Sequence, residues 1–248
     1  MQLPSAKAEE ITGMLEHIMQ HIQPLTVSER SADNLADNPA QIMASLQQLR
    51  DIVASNNDNP GELTASEVTE IGEYSMQLLA NASQILQRLN DTELQQYNGV
   101  LAVSMALWTG AQGGQINMLE PLVDTLAWLA NHLQDEPSLG RLSDILGELM
   151  SACSLAISSD LDNTNPGRPW RVLNINRGIV ATRSHDTELM REAFDTLVHN
   201  LPQDAASFFD QGMSEMDRLG YPDHVRKIVQ EYANRHPVAG QLASTCSF

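Results

Sequence analysis

Residues 64–89, TASEVTEIGEYSMQLLANASQILQRL, decide the fold. Thr64 and Glu67 stand at the spacing of a capping box, in which each side chain takes up a backbone N–H that the first helical turn leaves unpaired. Behind them Val68, Ile71, Ser75, Leu78, Ala82, Ile85 and Leu89 recur in steps of three and four, while Glu70, Gln77, Asn81, Gln84 and Arg88 fall on the other side. That period belongs to a helix packed along its whole length. It is not the two-residue alternation of a strand.

The same signature repeats outward from this segment. Upstream, Ala8, Ile11, Leu15, Ile18, Met19 and Ile22 share one face of a helix from about Ser5 to Ile22, with Pro24 after its end. The stretch Leu25 to Asn38 gives no clear pattern. Asn38 then caps a helix with Pro39 at its first position and Ile42, Leu46, Leu49 and Val53 inward. Downstream, Asp91 caps a helix to about Ala111 that is apolar all round in its middle, which is stable only when surrounded. Two further helices bury Leu122, Leu126, Leu129 and Leu133, and then, capped by Ser138, Leu142, Leu146, Leu149, Cys153 and Ala156. Helical hairpins of this size resemble a repeat period, yet no residue-level self-similarity supports a solenoid over a closed bundle.

Residues 160–183 (DLDNTNPGRPWRVLNINRGIVATR) are rich in turn formers and mark a boundary, with helix expected only in part, from Pro169 on. Three compact helices follow. They carry Leu189, Ala193, Leu197 and Val198, then Phe208, Phe209, Met213 and Met216, then Val225, Ile228, Val229 and Tyr232, with Gly220 as a left-handed cap. The expected class is therefore all-α: an irregular antiparallel bundle or short stack of hairpins with about eight to nine helices. The expected division is 1–162 as an N-terminal bundle, 163–183 as an Arg-rich connector, 184–236 as a three-helix segment and 237–248 as a tail.

Charge narrows the function. The chain carries 14 Lys/Arg against 32 Asp/Glu, net −18, a field that repels nucleic acid. Within it, residues 168–183 carry four arginines and no acid. Arg168, Trp170, Arg171, Arg177 and Arg183 are the candidate partner-binding residues, because guanidinium offers a planar fork of donors and Arg and Trp concentrate binding energy. The competing reading is internal: the acidic helices of the chain supply ready counterions, and the segment staples the two halves together.

Other motifs carry less chemistry. His17 and His21 share a helical face, but two ligands do not make a metal site. Ser184, His185 and Asp186 are consecutive and cannot face one another as a relay, so they read as a helix cap. Asp160 and Asp162 begin like a calcium loop, but Asn165 and Arg171 stand where that loop needs Gly and Glu. The glycines of Gly110 to Gly114 lack a preceding strand and a phosphate-loop Lys. Cys153 reads as a buried, inert thiol and Cys246 as a tail thiol. The stripe of Phe208, Phe209, Met213 and Met216 reads as core or, alternatively, as a hydrophobic surface for a partner helix.

No basic start precedes an apolar run in Met1 to Glu10, and the most apolar stretch, Val100 to Trp108, is about half the ~20 residues a bilayer requires. A cytoplasmic location is expected, without membrane or nucleic acid, cofactor or metal. The expected function is a non-enzymatic helical protein-binding module, an adaptor, regulator or assembly factor, whose partner is another protein; self-association into a homo-oligomer is left open. The alternative is a small-molecule- or metal-binding helical protein, or an enzyme with residues converging from separate helices. A deep closed pocket lined by His or Glu favours the alternative, whereas a broad exposed groove or an apolar patch next to residues 168–183 favours the module.

Overall fold

The capping signals and apolar stripes place the helices, and the computed structural model is all-α, describing residues 2–28, 38–161 and 164–238. The elements are α1 (Ala8–Ser28), α2 (Pro39–Asp58), α3 (Ala65–Gln87), α4 (Thr92–Ala111), α5 (Glu120–His132), α6 (Glu136–Ala152), α7 (Leu155–Ser158), α8 (Pro169–Arg183), α9 (Thr187–Asn200), α10 (Pro202–Leu219) and α11 (Asp223–Arg235). These eleven helices among the described residues exceed the eight or nine expected, because α7 adds a single turn and the arginine segment is a full helix. No helix of the described residues is long and apolar enough to cross a membrane. The unassigned residues 29–37, Asp162 of the rejected calcium loop, and Cys246 with most of the expected tail lie outside the described residues.

The chain forms two compact units. The first comprises residues 1–126 and 148–160, and the second residues 127–147 and 161–248, so the boundary falls inside α5 and inside α6.

In the first unit α1 packs on α2, α2 on α3, α3 on α4, and α4 returns to α1, which closes a four-helix bundle. Thr64 and Glu67 form both halves of the capping box at the start of α3. Leu46, Leu49, Val53, Leu15, Ile18 and Ile22 are fully buried. Ten consecutive residues of α4, Val100 to Thr109, are buried, as its all-round apolar sequence requires. Close approach is permitted by missing side chains: a Cβ on Gly72 of α3 would lie 2.6 Å from Thr109 Oγ1 of α4.

Three expectations shift in detail. Helix α1 continues past Pro24 to Ser28. Asp135, not Ser138, caps α6, its Oδ1 accepting from Ser138 N at 2.9 Å. α6 ends at Ala152, so Cys153 and Ala156 do not continue its buried stripe; Ala156 is exposed. Instead Ile116 bridges to this point, its N donating to Ala152 O at 2.8 Å and its O accepting from Ser154 N at 2.9 Å.

The second unit is centred on α9, which contacts α8, α10 and α11. Phe194 is its hub: its ring meets Phe209 at 5.1 Å and Tyr232 at 5.1 Å, both near edge-to-face, the arrangement that the ring quadrupole favours. Gly220 ends α10 with φ 68° and ψ 44°, the left-handed cap that its sequence position implies.

Candidate functional site

Helix α8 opens at Pro169, which has no N–H to leave unpaired at a first turn, and then distributes the arginines in different directions. Arg171 Nε donates to Asp204 Oδ1 at 2.7 Å. Arg168 Nη2 lies 3.6 Å from Asp204 Oδ2, an ion-pair distance beyond hydrogen-bond reach. Two guanidiniums thus share one carboxylate in the first turn of α10. Trp170 is buried, and its indole N–H has no acceptor among the described residues.

Arg177 turns to the other side. Its side chain is 5% exposed and donates to Ser143 O at 3.3 Å, Thr196 Oγ1 at 3.2 Å and Glu192 Oε1 at 2.5 Å. Gly147 makes room for it: a Cβ there would lie 2.8 Å from Arg177 Nη2. Arg183 donates to Ala130 O and to Leu133 O, the latter at 2.6 Å, which satisfies the open carbonyls at the end of α5 and places a cation against its negative pole.

The five expected site residues therefore do not form one cationic patch. Arg168 and Arg171 converge on Asp204, Arg177 ties α6, α8 and α9 together, Arg183 caps α5, and Trp170 is enclosed. This is the stapling geometry of the internal reading, confined to the second unit.

What these ties leave between them is a groove of about 470 Å³ along α8 and α10, which run in the same direction with α9 as the return. Arg171, Ile175, Ile179 and Arg183 line it from α8, and Phe208, Gly212, Met216 and Leu219 from α10. Phe194 and Val229 lie beneath, and Tyr221 stands at one end. The Arg171–Asp204 pair ties the walls together at the start of both helices, and Phe208 rests on bare backbone, since a Cβ on Gly178 would lie 2.6 Å from its Cζ. Toward the helix ends the groove opens, and its lips are apolar: Ile179 is 40% exposed and Leu219 55%. There, burial pushes the Tyr221 phenol up, while the charge of Arg183 pulls it back and that of Glu215 adds to the rise.

The arginine reading misses Ile175, Ile179, Phe208 and Leu219. Ile175, Ile179 and Thr182 recur at i, i+4 and i+7, and that stripe was the available signal; the density of charge on the same helix concealed it.

The other motifs resolve into local structure. Asp186 Oδ1 accepts from Glu188 N at 2.9 Å and Leu189 N at 3.2 Å, so it caps α9. His185 is left-handed at φ 59° and its Nδ1 lies 2.8 Å from Glu136 Oε1. His17 packs its ring 4.7 Å from Tyr97 and 4.5 Å from His21. Burial pushes the Cys153 thiol up to about 12, so at neutral pH it holds its proton and is a poor nucleophile. Among the described residues no three His, Cys, Asp or Glu side chains gather closely enough to hold a metal ion. No family model matches the chain, and neither does any curated protein or solved structure.

Proposed function

We propose that the chain is a helical protein-binding module, an adaptor, regulator or assembly factor, and that its binding site is the groove between α8 and α10. The single observation that carries this reading is the exposure of Ile179 and Leu219 at the lips of a cleft whose lining mixes apolar side chains (Ile175, Phe194, Phe208, Met216, Val229) with polar ones (Thr182, Asp204, Ser207, Gln211, Glu215). A ligand sunk into the cleft leaves those lips wet, whereas a protein segment laid along it covers them, as in the helix-in-groove mode of recognition. Arg171 and Arg183 serve as the polar ends of the site, and Arg168, Trp170 and Arg177 hold its walls in place.

The volume also falls within the roughly 300–1,000 Å³ of small-molecule pockets, so the test must separate the two. A photo-crosslinking amino acid placed at Ile179 in the cell of origin should give an adduct with another protein, and the same group at exposed Leu155 should not. Adducts with this chain alone would point to a homo-oligomeric contact. Adducts confined to a metabolite would overturn the module in favour of a small-molecule site.

A further inference from the structure

Leu161 is the most exposed large apolar side chain among the described residues, at 89%, and Leu155 follows at 78%. Between them α7 is a single turn with no buried residue. At Asp160 the main chain turns left-handed, with φ 45°, and residues 159–161 and 164–168 belong to no helix. The division between the two compact units falls at the same point, between residues 160 and 161. An endopeptidase takes its substrate as an extended strand, so a bond inside a packed helix is closed to it and one in an exposed turn is open.

The two leucines are alike in exposure and unlike in tether. Ahead of Leu155, buried Ser154 is held on both sides: its N donates to Ile116 O at 2.9 Å, and its O accepts from Ile157 N at 3.1 Å and Ser158 N at 3.0 Å. Ahead of Leu161, Asp160 N donates to Ile157 O at 3.2 Å, a bond closed by one solvent-facing turn. Opening that turn uncovers no buried residue of α7.

A cut at this point leaves the second unit tied together. From 161–248, Arg183 donates to Ala130 O and Leu133 O, Arg177 donates to Ser143 O at 3.3 Å, and His185 Nδ1 lies 2.8 Å from Glu136 Oε1. Leu129, Leu142 and Leu146 of the 127–147 part are fully buried. None of these contacts depends on the peptide link at residue 160.

We propose that the Asp160–Leu161 bond is a proteolytic processing site, cut by an endopeptidase with an apolar pocket for the residue that carries the new amino terminus. The product is a two-chain form in which 161–248 stays seated on 127–147. Water is the co-reactant: the C–N bond between Asp160 and Leu161 breaks, hydroxyl adds to the Asp160 carbonyl carbon, and hydrogen goes to the Leu161 nitrogen. The site stands apart from whatever the groove binds.

Thermolysin, which selects a large apolar residue at that position, tests the bond on the full chain in native buffer, with mass spectrometry following the new amino termini. A terminus at Leu161 is expected at least about tenfold faster than one at Leu155. Leu161→Asp should remove it and Leu161→Phe should keep it; the side chain is exposed, so neither change reaches the core. On gel filtration the two halves should travel together in native buffer and apart in urea. Labelling of free amino termini in the cell of origin should recover a peptide that begins at Leu161. Equal rates at Leu155 and Leu161, or cutting indifferent to Leu161→Asp, would overturn the site. Halves that separate in native buffer would overturn the two-chain form, and a chain found only uncut in the cell would overturn its processing.

Discussion

Arg177 shows what a single buried guanidinium does here. Its carboxylate partner Glu192 is 64% exposed, while Arg177 itself is enclosed and also serves a backbone carbonyl. Removing Glu192 leaves a solvated gap, but removing Arg177 leaves Ser143 O without that donor. Arg177→Leu is therefore expected to cost about 2–3 kcal/mol and Glu192→Gln under about 1 kcal/mol in urea denaturation; equal losses would contradict the geometry. Tyr232 gives a pH signature. Burial, reinforced by its hydrogen bond to Asp195 at 2.5 Å, pushes its phenol up to about 12 from an ordinary value of 10.0. The folded chain thus keeps a proton that the unfolded chain releases. The associated stability is complete below pH 10 and is lost as pH climbs toward about 12, on the order of 2 kcal/mol in all. Tyr232→Phe should flatten the stability profile across that window.

At the scale of elements, helix starts and stripes were readable because their causes are local. The Asn38, Thr64 and Asp91 caps and the α11 stripe of Val225, Ile228, Val229 and Tyr232 all appear in the fold. What the sequence concealed depends on neighbours. Pro24 sits inside α1, past Ile22, its last buried residue among the described ones, and the helix runs on to Ser28. Phe194, the hub of the second unit, is one position from the stripe assigned to α9, and only three converging helices make it central. The arginines were legible as a cluster in sequence but their directions were not: whether an arginine faces a partner or its own chain depends on residues such as Asp204, 33 residues away from Arg171. One close contact tests the packing directly. Gly72→Ala would drive a methyl into Thr109, so thermal or urea unfolding should show a loss of about 1–3 kcal/mol. The same variant combined with Thr109→Ser, which removes one of the two crowding groups, should recover part of it.

For the whole molecule, the charge is unevenly divided. The first unit carries four Lys/Arg against 18 Asp/Glu, net −14, and the second ten against 14, net −4. Self-repulsion of that size acts over roughly 30 Å at about 0.01 M salt and only about 8 Å at 0.15 M. Raising salt across that range is expected to lift the melting midpoint by a few degrees, and a calorimetric midpoint that stays put would show that the acids are too dispersed to repel.

Because the second unit is assembled from residues 127–147 and 161–248, it cannot be copied into another gene as one uninterrupted piece. A fusion that began at residue 161 would abandon the Ala130, Leu133 and Ser143 carbonyls on which Arg183 and Arg177 depend. A piece that begins at residue 127 keeps those carbonyls but carries residues 148–160 of the first unit along with it.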